Sequence, residues 1–315
     1  MGCLPLKFSR SLPAVNRPAT AISPVWPHAA LWGVALIYGL NYTLAKDVMP
    51  DYLSPPAFIL LRALAGAVFF QLTGLFFPRE KISPPHWWRL ILGGFFGVAG
   101  NQLLFFYGLN LTQPIQASVI MTSNPIIVLV LSAIFLKVPI RPLRVLGILL
   151  GLVGAVLLIT RGEELQGLLA RDTSLGNLLV LLNAAFFGTY LIITKPIMAQ
   201  YRPITVIRWA FLFGLFFVLP IGLNPLLEAP WASFPVKIWG EIAFVLLGTT
   251  YLAYLLNMFA LKQVSSTTVS FYIYLQPVFA TLAAVWLGSD RLTWLATGAA
   301  LLIFTGVYLV SRPSR

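Results

Sequence analysis

The chain has 315 residues, 59% of them hydrophobic and only 10% charged. Soluble domains carry about 25% charged residues, so a water-soluble fold could not cover a surface this apolar and the bilayer is the expected solvent. Lys and Arg number 21 against 9 acids, a net charge of +12; with no basic block interleaved with aromatics, this excess points to membrane orientation and not to nucleic acid.

Residues 1–28 read as a disordered basic tail on the cytoplasmic side. The stretch before His28 holds five prolines, Lys7, Arg10 and Arg17, and no acid. It lacks an apolar core of secretory length, although a basic, acid-free composition also fits an organelle transit peptide. Met1-Gly2-Cys3 does not complete a myristoylation pattern, because Leu6 stands where Ser or Thr is needed. Cys3 is the single cysteine, which excludes an intramolecular disulfide.

A span needs about 20 mainly apolar residues. In chain order, candidates run over 29–48, 56–77, 87–108, 114–136, 142–160, 174–194, 203–223, 237–260, 266–288 and 292–311. The expected fold class is therefore all-α integral membrane, with ten transmembrane helices. The polar connection "RGEELQGLLARDT" at 161–173 divides them into five-helix halves, 29–160 and 174–311. On the N-terminal side lie Lys7, Arg10, Arg17, Arg79, Lys81, Arg89, Lys137, Arg141, Arg144, Lys195, Arg202, Lys262, Arg312 and Arg315. Opposite them are only Lys46, Arg161, Arg171, Lys237 and Arg291. That bias predicts a multi-pass protein of the inner or plasma membrane with both termini cytoplasmic and 161–173 outside.

Two apolar runs break the same rule. "MTSNPIIV" (121–128) and "IYLQPVFA" (273–280) each place a primary amide before a proline, which removes a helix hydrogen bond and clashes with the preceding turn. An offset of 152 carries Leu103, Leu104, Leu109, Ser118, Asn124 and Pro125 onto Leu255, Leu256, Leu261, Ser270, Gln276 and Pro277. Gly39 and Lys46 are spaced like Gly188 and Lys195, and Arg62 and Arg208 both lie early in their spans. A repeat with an odd number of spans must enter the membrane from opposite sides, so the halves are expected to form an inverted repeat. Cargo binds near the midplane of such repeats, at helices interrupted in matching places.

The segments "WGVALIYGLNYTLAK" (32–46), "LLRALAG" (60–66), "NQLLFFYGLNLTQPIQASVIMTSNPIIVLVLSAIFL" (101–136) and "LGSDRLTWLATGAALLIFTGVYLV" (287–310) resemble the drug/metabolite transporter (DMT) superfamily, in its ten-span EamA-like branch. The resemblance implies a permease that exports or exchanges small metabolites such as amino acids, or drugs, through a central cavity formed by spans 1, 3, 4, 6, 8 and 9. It also implies an acidic turn after spans 4 and 9; here Asp290 keeps the acid in "GSDR", whereas "LKVPIR" has none.

At 1.5 Å per residue, Asn124 and Gln276 lie about 15 Å deep, near the midplane. Each amide either faces cargo or satisfies carbonyls freed by Pro125 or Pro277, the two expected hinges. Tyr38, Asn41, Tyr42, Asn101, Gln102, Tyr190, Tyr254, Asn257 and Tyr274 complete an aromatic, neutral-polar set suited to amphipathic molecules. Asn183, Tyr107, Tyr251 and Tyr272 share its chemistry. Arg62 is expected at the site too, because a cation inside the membrane costs ~2.5–3.5 kcal/mol and is rarely idle; it could hold a substrate carboxylate, or pair with helix-end carbonyls or the nearby acids Asp47 and Asp51.

Lys46 and Lys195 suit either snorkelling or a mouth role. Glu241 is expected at the interface, so no midplane acid supplies a proton site. The small-residue faces "GGFFGVAG" (93–100), "GILLGLVG" (147–154) and "GAALLIFTG" (298–306) fit close packing within the chain or a homodimer. No cofactor, metal site or catalytic residue is expected, since no HExxH, Cys/His cluster or paired midplane acids occur, as a lipid-modifying enzyme would need. A passive channel for small solutes remains consistent with the same pattern.

Overall fold

Proline marks where many of the helices begin, at the first-turn position where its missing N–H is not needed. A computed structural model describes residues 25–112, 114–160, 174–286 and 293–311; these residues are helices joined by loops. The tail before residue 25, the connection 161–173, and Asp290, Arg291, Arg312 and Arg315 lie outside the described residues.

In the first half, α1 (Val25–Val48) precedes α2 (Pro55–Leu75). A 3-10 turn (Pro84–His86), α3 (Trp87–Gly94), a π stretch (Phe95–Ala99) and α4 (Gly100–Leu111) then form one continuous helix. α5 (Pro114–Met121) stops at Thr122-Ser123, α6 (Asn124–Phe135) follows, and α7 (Pro142–Thr160) ends the half. The second half repeats this order. α8 (Ser174–Met198) and α9 (Pro203–Leu227) lead to another continuous helix, built from α10 (Val236–Phe244), a π stretch (Val245–Leu252) and α11 (Ala253–Gln263). α12 (Ser266–Phe271), a 3-10 turn (Tyr272–Tyr274), α13 (Leu275–Trp286) and α14 (Trp294–Ser311) complete it.

The continuous helices run over 84–111 and 236–263, so the offset of 152 superposes both their ends. Each also carries its π stretch in its middle. A π turn inserts a residue into the helical ladder and leaves carbonyls poorly paired, which is why it recurs at functional sites.

The distribution of side chains is that of a membrane protein. Leu64, Val68, Leu72 and Leu75 form an exposed stripe along α2, and Leu212, Phe216, Leu219 and Leu223 do so on α9. Asn41, Arg62, Asn101, Gln102, Asn124 and Asn183 are buried instead. Among the described residues, eight helices are long and apolar enough to cross a membrane. α1, which carries His28, Asn41, Lys46 and Asp47 among its apolar residues, falls outside that set.

Packing pairs the halves. α7 lies against α14 and α2 against α9; α1 lies against α11 and α13, while α8 lies against α4 and α6. The small-residue faces serve these contacts. A Cβ on Gly154 would stand 2.6 Å from the Ala299 carbonyl oxygen, and one on Gly94 would stand 2.7 Å from that of Ala210. Gly298 is the exception, with no described residue within 4 Å.

Candidate cargo-binding cavity

The two broken helices place their prolines differently from a kink in an intact helix. Thr122 and Ser123 donate backbone bonds to the Val119 and Ile120 carbonyls three residues back, and α6 restarts with Pro125 in its first turn. In the second half the 3-10 turn at 272–274 precedes Leu275, and Pro277 falls in the first turn of α13. Neither proline costs a mid-helix hydrogen bond, because the helix has already been interrupted.

A cavity containing about 780 Å³ of empty space, part of it open to solvent, lies between these breaks. Its wall draws on α1, α4, the end of α5, α8, the π stretch before α11, α11 itself and the 269–276 segment, with Arg62 reaching in from α2. Tyr38, Asn41, Tyr42, Arg62, Asn101, Gln102, Tyr254, Asn257 and Gln276 all line it. These are nine of the twelve residues expected at the site.

Asn124, Tyr190 and Tyr274 are not in the lining. Asn124 is wholly buried and donates through Nδ2 to the Ala184 carbonyl of α8 at 2.7 Å, so it ties two helices together. Its Oδ1 is buried without a partner among the described residues. Tyr190 packs over Gly97 and directs its hydroxyl to the Met258 sulfur at 3.3 Å. Tyr274 stacks edge-on with Phe271, 4.8 Å between centroids, and packs over Gly151 of α7. Gln276 differs from its counterpart Asn124: it lines the cavity, and no described residue bonds its amide.

The polar wall is organised by short links between helices. Asn101 and Asn183 clasp reciprocally, the Asn183 Nδ2 donating to the Asn101 carbonyl at 2.7 Å and the Asn101 Nδ2 to the Asn183 carbonyl at 3.4 Å. Thr249 donates its hydroxyl to Asn41 Oδ1 at 3.0 Å. The Tyr254 hydroxyl donates to the Gly97 carbonyl at 2.9 Å, in the first π stretch, and accepts from Gln102 Nε2 at 3.4 Å. Gln102 and Tyr254 are themselves 152 residues apart.

Arg62 is 3% exposed. Its Nε donates to Thr250 Oγ1 at 2.9 Å, and its guanidinium lies 4.7 Å from the Phe106 ring centroid. Its counterpart Arg208 is half-buried beside Gly74 and Trp209, away from the cavity. Lys46 donates to the Leu109 and Asn110 carbonyls at the end of α4. Lys195 donates to the Leu261 and Val264 carbonyls at the end of α11. Each lysine thus places a cation at the negative end of a helix. Glu241, expected at an interface, is 5% exposed and pairs with Lys237 at 3.4 Å, which also meets Asp47 at 2.9 Å.

Several lining residues stand outside the expected set. Thr249, Tyr272 and Asn183 join it, Asn183 and Tyr272 sharing the chemistry that marked the others. Thr249 carries no such signal, since only the π stretch turns it inward. Leu31, Val34, Phe105, Met121, Val269 and Ile273 give the cavity apolar faces. Among the described residues no group of three or more His, Cys, Asp or Glu side chains converges.

Comparison with known proteins adds to this geometry. The model of the EamA-like transporter family matches the chain twice, over residues 26–160 and 174–312. The uncharacterized transporter YyaM of Bacillus subtilis is 25% identical over 275 residues, covering 87% of this chain and 90% of that protein. A probable terminal-alkyne amino-acid exporter of Streptantibioticus cattleyicolor is 28% identical over 237 residues, 75% of each chain. A protein of known crystal structure shares the fold at a TM-score of 0.71 and 21% identity, covering 91% of this chain and 98% of the other.

Proposed function

This chain belongs to the EamA-like transporter family, and we propose that it exports or exchanges small metabolites by alternating access through the cavity described above. It is a multi-pass membrane transporter and not an enzyme. The cargo class we assign is that of amino acids or amphipathic drug-like molecules. This suits a wall that mixes neutral amides, tyrosines and apolar faces; the S. cattleyicolor relative is itself named an amino-acid exporter.

The observation that carries this reading is the contact between Gln102 and Tyr254. These residues occupy equivalent positions in the two halves. Equivalent residues of a two-fold pair can touch only near the axis that relates them. Their contact at the cavity therefore supports ten spans arranged as two inverted five-helix repeats, with the cargo site on the pseudo-two-fold axis. The exchange of α1 with α8 and of α11 with α4 in the packing supports the same arrangement. Under it, the halves 29–160 and 174–311 rock about the cavity, Pro125 and Pro277 serve as hinges, and the two states are of comparable energy. The Lys and Arg bias supports an inner or plasma membrane orientation with both termini cytoplasmic.

Counterflow in proteoliposomes tests the mechanism. A carrier shows saturable uptake accelerated by cargo on the far side. Uptake linear in concentration, without trans-stimulation, would mean a passive pore and sink alternating access.

A further inference from the structure

Arg62 is the one charged side chain described in the cavity wall, and the mechanism above leaves it unused. A guanidinium offers five N–H donors in a planar fork. Only Nε is engaged, by Thr250, and Phe106 covers one face. No described residue bonds either Nη. Of the described acids, Asp47 and Glu241 are paired with Lys237, Glu80 meets Arg202, and Asp51 and Glu228 lie beyond the ends of α1 and α9. None of them lines the cavity. Among the described residues the site therefore carries one positive charge without a counter-charge, where the surrounding dielectric is low and a charge is rarely idle.

We infer that the cargo is a small organic anion whose carboxylate meets the open edge of Arg62 while its apolar body rests on Met121, Val269 and Ile273. This rests on the reading of the cavity as the cargo site. A carboxylate fits the two Nη groups side by side, the arrangement that makes arginine preferred over lysine for this purpose. An amine would meet an uncompensated like charge. A neutral amide would leave the guanidinium without its counter-charge. A zwitterion finds no described carboxylate for its ammonium, so within the cargo class proposed above acidic amino acids and amphipathic organic anions bind better than neutral amino acids. The counterpart arginine lies outside the cavity, so the positive charge of the anion site comes from the first half alone.

Thermal unfolding of the full chain in detergent provides the test, with two sets of compounds matched in their bodies. Phenylacetate, phenylacetamide and phenethylammonium form one; hexanoate, hexanamide and hexylammonium form the other. Sodium sulfate reports a purely inorganic anion. At least one carboxylate should stabilise the protein at ten-fold lower concentration than its amide and ammonium partners. Arg62→Gln should erase that difference, and Arg62→Lys should keep the order with a smaller gap. The wild-type order decides the matter even where a variant folds poorly. Equal stabilisation across a matched set, none by either carboxylate, or stabilisation by sulfate as strong as by the carboxylates would overturn the inference. Counterflow separates it from the transport reading. Carboxylates that bind without trans-stimulated exchange defeat transport and leave the anion site standing. Exchange of the amines or amides that is indifferent to Arg62→Gln defeats the anion site and leaves transport standing.

Discussion

The two halves of the molecule agree in their mechanical parts and differ in their chemical ones. Both have a helix broken just before a proline, a π stretch in the middle of a long helix, and a lysine at the end of the first helix bound to the terminal carbonyls of another. The amides before the prolines have parted: Asn124 fastens α6 to α8, and Gln276 faces the cavity. The arginines have parted too, as have Arg89 and Glu241, 152 residues apart, one donating to the Ile193 carbonyl and the other pairing with Lys237. Under the proposed alternating access, duplication has kept the parts that would let two states interconvert. If cargo is recognised at the near-symmetric centre proposed above, each recognition residue is needed only once, and one copy is free to change.

The sharpest contrast in stability should come from matched glycines. A Cβ on Gly147 would stand 2.8 Å from a Val310 methyl and 3.0 Å from the Gly306 carbonyl oxygen, inside the α7–α14 contact; its counterpart Gly298 meets no described residue within 4 Å. Gly147→Ala should destabilise by about 1–3 kcal/mol, the usual cost of overpacking. Gly298→Ala should be neutral or up to about 1 kcal/mol stabilising, because alanine is the better helix former. Melting in detergent, read side by side, checks this. Equal losses would mean that Gly298 packs against something, for example a second copy of the chain.

The amides should divide next. Asn124→Ala removes one helix-to-helix bond and also one buried oxygen without a partner, so its cost should be near 0.6 and at most about 1.7 kcal/mol, the range of such bonds in membranes. Cargo affinity should stay unchanged. Gln276→Ala removes no bond to a described residue, so stability should fall by less than in Asn124→Ala while the KM for transport rises. Measuring melting and counterflow on both variants gives a two-by-two outcome. A loss of stability confined to Gln276→Ala would reverse the roles assigned here.

Much of this was legible in the residues, for physical reasons. Proline announces helix starts, so the boundaries at 55, 142 and 203 follow directly. Polar side chains in apolar spans have few places to go except the interior, which is why Asn41, Gln102 and Asn257 could be expected in the wall. The direction of one amide after a helix break was not legible. The restart sets the rotation of α6 and of α13 independently, and tertiary packing chooses it, so Asn124 and Gln276 could look alike in sequence and face differently. The π stretches were also hidden, since "FFGVA" and "VLLGTTYL" are ordinary apolar helix, and with them the inward turn of Thr249 and the bond from Thr250 to Arg62. Glu241 read as interfacial because its burial depends on a partner, Lys237, one turn away, which in turn reaches across to Asp47.

The smallest effect concerns the parts that the halves share. Lys46 and Lys195 each hold the end of one helix against the carbonyl end of another, and a cation there stabilises by about 0.3–1 kcal/mol. The two share no partner, so Lys46→Met and Lys195→Met should cost similar amounts and add in the double variant. Under inverted topology the two caps sit at opposite mouths of the cavity. Losing one cap should favour the state open at that mouth, and losing the other should favour the opposite state. A bias of this size changes the ratio of the two states about two- to five-fold. Cysteine labelling from each side of the membrane reads that ratio. Opposite shifts from the two substitutions are expected. Shifts in the same direction would leave the lysines as helix caps alone and detach them from the alternation of the halves.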